Sequence, residues 1–393
     1  MRASPGGYTN HHPVSRIRVL HFAWRLSRGG GIPIVLRNFL PRIDTTDFEH
    51  HVVTVRPHYY EDQVQEVGPH TFHSLNLGGE ITGLRNGQVL SRFSRLLRRI
   101  QPRLLHTHGG TSWYTAPLAS LQPGIWGRIL EVHDAPYSRR LQPWNYAAEG
   151  FMLRRLGYTA LVHSTDVRDG VAQAASISPD RIAMIPLGID TRAFGQAGTS
   201  AAEWRARHGI PPGTRIVLYV ARVAPTKNVP LYLQVAEAVL REEPDTCFVM
   251  VGTGTQFDEV SRSSIARAHP DRIRFLGRRY GPELVDAFHA SDVFLTTSNY
   301  EGFGLVVVEA MAAGKPVVTT ACGGVLDIVR HGHTGFVAPV GHRDALADAT
   351  LRLLRDSGLR RRMGEASLER ARATYDIADM VRAFEDLYRG LAT

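Results

Sequence analysis

Short β-branched runs recur along this chain, each followed by a turn and a helix-length segment, and this alternation constrains the fold more than any other feature. In the first half the runs are Ile17–Ala23, His51–Arg56, Leu104–Gly109, Arg128–His133, Ala160–Ser164 and Ile182–Pro186. In the second half they are Arg215–Ala221, Thr246–Gly252, Ile273–Gly277, Val293–Ser298, Pro316–Ala321 and Gly335–Val340. Runs apolar on both faces suit strands buried on both sides of a parallel sheet. Between them lie helix-length stretches such as Gly87–Ile100, Val229–Glu242 and Arg343–Arg355. The pattern predicts doubly wound α/β architecture.

At 393 residues the chain has room for two domains. The series of runs breaks near Asp190–Pro212, where a polar stretch ends at Pro211-Pro212-Gly213. The division expected is a loose tail (1–15), a first domain (16–190), a linker (191–213), a second domain (214–375) and a terminal helix (376–393). Hydrophobic residues make up 43% and charged ones 21%, which excludes disordered, collagen-like and coiled-coil chains. The net charge of +9 is spread in short clusters with no aromatic-interleaved basic stripe, so no nucleic-acid partner is expected. The stretch Leu104–Gly127 lacks Asp, Glu, Lys and Arg but contains His106, His108 and two prolines, unlike a membrane span. Met1–Ser15 has no apolar core of a secretory signal, and two cysteines, Cys247 and Cys322, suit a reduced compartment. The expected location is the cytoplasm, and the basic balance permits peripheral membrane contact without demanding it.

Open α/β sheets bind ligands beyond the carboxyl ends of their strands, so motifs directly after strands carry most weight. The sharpest is Glu301-Gly302-Phe303-Gly304-Leu305, followed by an apolar helix that contains Glu309. Its glycines allow close backbone approach, and the helix start favours an anion such as phosphate. Along a helix the two carboxylates would stand roughly 12 Å apart, too far to act on one bond. That separation suits two hydroxyl-rich ends of a ligand with phosphate between them, the shape of a sugar nucleotide. Arg222 and Lys227, on the loop after Arg215–Ala221, can flank a diphosphate from both sides. Glycine turns stand at Gly252-Thr253-Gly254 and Cys322-Gly323-Gly324, and Gly29-Gly30-Gly31 opens a helix after the first strand.

With its Glu301/Glu309 (E-x7-E) and Arg222/Lys227 (R-x4-K) patterns in this order, the chain resembles the retaining glycosyltransferases of the B-type (GT-B) fold, family four in particular. The resemblance implies two Rossmann-like domains facing across a cleft, with the last helix, Asp376–Leu391, returning to the first domain. It also implies site roles. Arg222 and Lys227 would hold the diphosphate, Glu309 the ribose hydroxyls, and Glu301 a hydroxyl of the transferred sugar. Amides around Phe303, Gly304 and Leu305 would face sugar and phosphate, and Gly30, Gly31 and Gly252 would line the donor. His133, in Glu131-Val132-His133-Asp134, would reach the sugar across the cleft. The sequence departs from the family's usual residues at Ala221, Leu187, Thr297 and Asp327.

His106 and His108 share a strand face, and with His133-Asp134 they could build the zinc centre of a hydrolase. No later His/Asp pair continues such a set, and no D-x-D is found, so neither a metal nor another cofactor is expected. The reaction expected is transfer of a sugar from a nucleotide-diphosphate sugar, UDP by family default, to a hydroxyl on a small molecule or glycan, including antibiotic scaffolds. Alternatives on the same fold are a nucleotide-sugar epimerase and a phosphorylase. A metal-dependent hydrolase and a non-catalytic sugar-nucleotide binder are further readings.

Overall fold

A computed structural model describes residues 16–23, 31–55, 70–75, 84–109, 118–119, 122–134 and 143–393. Thirteen strands among them form two sheets, in which every pairing between named strands is parallel. The first sheet comprises β1 (Ile17–Ala23), β2 (Phe48–Thr54), β3 (Thr71–Ser74), β4 (Leu104–His108), β5 (Gly127–Glu131), β6 (Tyr158–Val162) and β7 (Ile182–Met184). Its spatial order is β3-β2-β1-β4-β5-β6-β7. The second comprises β8 (Ile216–Val220), β9 (Cys247–Val251), β10 (Ile273–Gly277), β11 (Val293–Thr296), β12 (Val317–Thr320) and β13 (Gly335–Ala338). Its order is β10-β9-β8-β11-β12-β13. Both orders reverse once, between β1 and β4 and between β8 and β11, and a crevice for ligands opens at such a switch point.

The architecture is the α/β pair of Rossmann-like sheets that the alternating runs predict. The strand absent from the sequence reading is β3. It is four residues long, lies at the sheet edge, and is half exposed (Thr-Phe-His-Ser), so it carries no apolar run to betray it. The stretch 191–213 holds two short helices, Thr191–Phe194 and Ala201–Arg207. Asp190 caps the first, and Ser200 with Glu203 closes a reciprocal capping box on the second. Trp204 and Ile210 are buried in the main core, which fastens this connection to the rest of the molecule.

The helix Ile377–Leu391 lies against the first sheet. Ile189 N–H donates to the Tyr375 carbonyl (3.0 Å) and Ile377 N–H to the Ile189 carbonyl (2.8 Å), which turns the chain back. Phe384 and Tyr388 are then fully buried in one cluster with Phe39 and Phe48. A methyl group on Gly127 would fall 2.7 Å from the Leu391 side chain, so the helix end sits directly on β5. Among the described residues no helix is long and apolar enough to cross a membrane.

Candidate active site in the cleft

The loop after β8 carries Arg222 and Lys227, and its shape is over-determined by backbone contacts. Pro225–Lys227 makes one 3₁₀ turn, and Asn228 follows in the left-handed region (φ 47°), where its side chain caps the helix Val229–Glu242. The buried Tyr219 hydroxyl donates to the Lys227 carbonyl (2.6 Å), and Thr297 Oγ1 donates to that of Asn228 (2.9 Å). Gly252 lies so close that a Cβ there would meet the Ala221 carbonyl oxygen at 1.8 Å. Its glycine is therefore required by the neighbouring loop, with a φ of 141° besides. Lys227 Nζ reaches Glu301 Oε1 at 2.6 Å, and the same oxygen accepts from Ser298 Oγ at 2.7 Å. Arg222 is exposed and makes no ion pair among the described residues.

β11 delivers Glu301 to the cleft, and the backbone then turns sharply through Gly304 (φ 108°) into the helix Leu305–Ala312. No side chain caps that helix, and the N–H groups of Phe303, Gly304 and Leu305 donate to nothing among the described residues. Free amides at a helix start form an anion site of the usual kind. The Phe303 ring itself is 6% exposed and meets Tyr375 edge-on, so its side chain belongs to the core and only its backbone faces the cleft. Glu309, one face further along, has no hydrogen bond or counter-ion among the described residues. Burial alone pushes its carboxyl up to about 8. An uncompensated carboxylate in a cleft is a functional candidate, because folding gains nothing from it.

The first domain meets this loop at Gly302. A Cβ on Gly302 would fall 1.9 Å from the His133 carbonyl oxygen, and Ser164 Oγ donates to the Gly302 carbonyl at 2.7 Å. Asp327 Oδ2 accepts from Thr165 N–H across the same boundary (2.7 Å). The His133 ring points its Nε2 towards Glu131 Oε2 at 3.5 Å, which leaves Nδ1 as the nitrogen free to meet a ligand hydroxyl. Behind it stands a buried row of histidines: His21 on β1, His50 on β2, His106 and His108 on β4, and His163 after β6. Burial, with the neighbouring imidazoles, holds His21 well below the usual imidazole range and His106 at about 4. Burial pushes the Glu131 carboxyl up, but His108 and His133 outweigh it and hold it well below the usual carboxylate range.

The structure thus brings Lys227 and Glu301 into direct contact, with Arg222 on the same loop, Glu309 on the helix that follows, and His133 opposite. Gly31 begins the helix Gly31–Phe39, whereas Gly30 lies outside the described residues. The stretches Tyr59–Gly83 and Tyr137–Asn145 also fall largely outside them. Sequence reasoning missed Glu131, His163 and Ser298. For Glu131 a signal existed: it ends the run next to the one that ends in His108, and in parallel neighbours those two run ends fall opposite each other.

Two switched parallel sheets, each with a crevice at its switch point, define an α/β protein of GT-B type. Residues 200–370 match the family model described as glycosyl transferases group 1, and residues 29–193 match glycosyltransferase family 4. Over 315 residues the chain is 31% identical to a D-inositol 3-phosphate glycosyltransferase of Corynebacterium urealyticum, covering 74% of this chain and 72% of the relative. It is 29% identical over 318 residues to the alpha-D-kanosaminyltransferase of Streptomyces kanamyceticus, covering 77% and 80%. The match to a Corynebacterium glutamicum enzyme, also a D-inositol 3-phosphate glycosyltransferase, spans 52% of that protein. Among solved structures, Anabaena HepE in complex with UDP superposes with a TM-score of 0.81 over 95% of this chain and 100% of that one, at 18% identity. The chain belongs to the family-four, group 1 glycosyltransferases.

Proposed function

We propose that the protein transfers a sugar from a nucleotide-diphosphate sugar to a hydroxyl acceptor, with retention at the anomeric carbon and without a metal on the diphosphate. The observation that carries this reading is the juxtaposition of Lys227, Glu301 and the free amides at Phe303–Leu305, at the carboxyl ends of the two strands flanking the switch point. Arg222, Lys227 and those amides supply the positive field for the pyrophosphate. Glu309, without a partner among the described residues, accepts from two ribose hydroxyls. Glu301 takes a hydroxyl of the sugar, and His133 offers Nδ1 from the opposite wall.

The anomeric carbon–oxygen bond to the diphosphate breaks while the acceptor hydroxyl approaches the same face. The departing phosphate oxygen takes the acceptor's proton, so no carboxylate need act as nucleophile. Charge develops on the leaving group, and stabilising it there is what accelerates the reaction. Lys227 starts out paired to Glu301, so the incoming diphosphate competes for it and the ammonium already stands at the site. UDP is the nucleotide to test first, since Anabaena HepE is solved with it. Small polyols of inositol size are the first acceptors, since relatives are named for one.

A thermal-shift screen of nucleoside diphosphates and their sugars, followed by an acceptor panel, tests the proposal. Stabilisation by one nucleoside diphosphate and release of it only when acceptor is present is the expected result. Conversion of the sugar nucleotide to a second sugar nucleotide points to an epimerase, and release that needs phosphate to a phosphorylase. Binding without turnover on any acceptor points to a binder. Activity abolished by a chelator would contradict the metal-free diphosphate site.

A further inference from the structure

His163 stands apart from the other buried histidines because both of its ring nitrogens meet groups that accept. Its Nδ1 lies 2.8 Å from the Ile185 carbonyl oxygen, and its Nε2 lies 2.8 Å from Glu131 Oε1. A carbonyl oxygen has no proton to give, so Nδ1 must carry one. In a neutral ring Nε2 would then turn a lone pair on a carboxylate oxygen, and the two would repel. One further proton therefore lies between His163 and Glu131. Burial pushes the Glu131 carboxyl up, but His108 and His133 outweigh it and hold it well below the usual carboxylate range, so that proton belongs to the ring. Among the described residues no other ring around Glu131 has both nitrogens committed in this way. His106 Nδ1 faces the Tyr388 hydroxyl, which donates as well as accepts, His108 Nε2 faces the His21 ring, and His133 Nε2 makes no hydrogen bond.

We propose that His163 is a positioning residue for sugar transfer: as a buried imidazolium bridging Glu131 and the Ile185 carbonyl, it fixes the two strand ends that clasp Gly302. Its effect on turnover rests on the transfer reading above, whereas the ion pair and the clasp rest on geometry alone. The strand order explains the reach. β6 lies between β5 and β7, so a ring just past the end of β6 touches the last residue of one neighbour and the residue after the other. Val132 N–H donates to the Leu161 carbonyl and Ile185 N–H to that of Val162, so the ladder continues up to the ring on both sides.

The residues that follow the pair grip the second domain. Ser164 is next to His163, and its hydroxyl donates to the Gly302 carbonyl at 2.7 Å. His133 comes two residues after Glu131, and its carbonyl oxygen would stand 1.9 Å from a Cβ on Gly302. Thr165 N–H donates to Asp327 Oδ2 across the same boundary (2.7 Å). Gly302 directly follows Glu301, so a shift of either strand end moves the carboxylate that is paired with Lys227. Both members of the ion pair are buried, so removing one strands the charge of the other away from water.

Nitrogen NMR of the full-length chain with isotope-labelled histidine reads the ring, assigned by the signals lost in His163→Gln. In wild type at neutral pH both nitrogens of His163 are expected to carry protons. In Glu131→Gln the ring is expected to release the second proton and accept from the glutamine amide. His163→Gln leaves the carboxylate without its cation and should melt lowest, and the double variant with Glu131→Gln should melt above it. Hydrogen exchange reads the clasp: the Thr165 amide should exchange at least tenfold faster in His163→Gln and in Ser164→Ala, and Ser164→Ala should leave the His163 signals as they are. Turnover by His163→Gln at saturating donor should fall about tenfold to a hundredfold, as misplacement of a catalytic wall does. Nucleoside diphosphate binding should not change, because Arg222, Lys227 and the helix amides lie in the second domain. Should His163→Gln not fold, the signal that goes from two protonated nitrogens to one in the isosteric Glu131→Gln identifies the ring, and the lack of such a signal overturns the proposal. A bare ring nitrogen on wild-type His163 overturns it too, as does wild-type exchange at Thr165 in folded His163→Gln. A wild-type chain that shows the protonated ring and the coupled exchange yet transfers no sugar counts against the transfer reading and supports the ion pair and its clasp.

Discussion

Replacing Glu309 by glutamine should stabilise the free protein while weakening its hold on the donor. Burial raises the folded-state carboxyl from an ordinary 4.5 to about 8. Between those values the folded chain keeps a proton that the unfolded chain has lost. Stability contributed by the protonated group is therefore complete below about pH 4.5, falls as pH rises, and levels off above about pH 8. Each pH unit in that window is worth at most about 1.4 kcal/mol, a ceiling near 3 kcal/mol by pH 7. Partial exposure of the side chain and relaxation of the site reduce this to about 1–2 kcal/mol. Glutamine keeps the shape and cannot ionise, so Glu309→Gln should melt roughly 2–8 °C above wild type at pH 8, with the gap closing by about pH 5. In the donor complex the sign reverses, because charge-assisted hydrogen bonds to ribose, about 1.5–3 kcal/mol each, are lost. Melting curves from about pH 5 to about pH 9, with and without the best-binding nucleoside diphosphate, read both effects. Parallel wild-type and variant curves across that range would refute the desolvation reasoning, and undiminished nucleotide binding by a folded variant would refute the ribose role.

Lys227→Ala should reduce turnover at saturating donor at least a hundredfold, about 2.7 kcal/mol of lost charge stabilisation, and near-normal turnover would contradict its place at the leaving group. Gly302→Ala forces a methyl group against the His133 carbonyl, so the two walls cannot meet; nucleotide binding to the second domain should survive while turnover falls, measured by calorimetry beside initial rates. Asp327→Ala removes the acceptor of Thr165 N–H and should lower stability by about 1 kcal/mol, read by denaturant midpoint, with Ser200→Ala as a cap loss of similar size away from the cleft.

Much of the second domain was legible in the sequence because its strands are short apolar runs and its site lies directly after them. The runs Ile273–Gly277 and Val293–Ser298 were placed almost to the residue, since burial on both faces leaves little else for them to be. Motif spacing likewise put Arg222, Lys227, Glu301 and Glu309 on elements that the topology brings to one crevice. What could not be read was the direct pairing of Lys227 with Glu301, because 74 residues separate them and only the β8–β11 adjacency joins them. Gly252 shows the converse. Expected from the resemblance to line the donor, it has a separate reason to be glycine: a Cβ would fall on the Ala221 carbonyl, a requirement set by a loop from another strand.

The histidine row shows why pairwise reading fell short in the first domain. His106 and His108 alone suggest a metal, and the absence of a further His/Asp pair downstream argued against one. Neither reading saw the carboxylate that these rings surround, Glu131, two residues before His133. Register brings it there: β4 and β5 are parallel neighbours with His108 opposite Glu131, while His106 lies opposite Ile129 and His133 two residues beyond Glu131, so the rings reach the carboxylate from either side. The returning helix then closes the space above them with Tyr388 and Phe384, excluding water from groups that would otherwise be hydrated. A buried carboxylate among imidazoles is tolerable only if charge is supplied to it, as shared protons or as a cation. Protons supply it here: His106, His108, His133 and His163 all stand around Glu131, and the imidazoles outweigh burial in keeping its carboxyl well below the usual range.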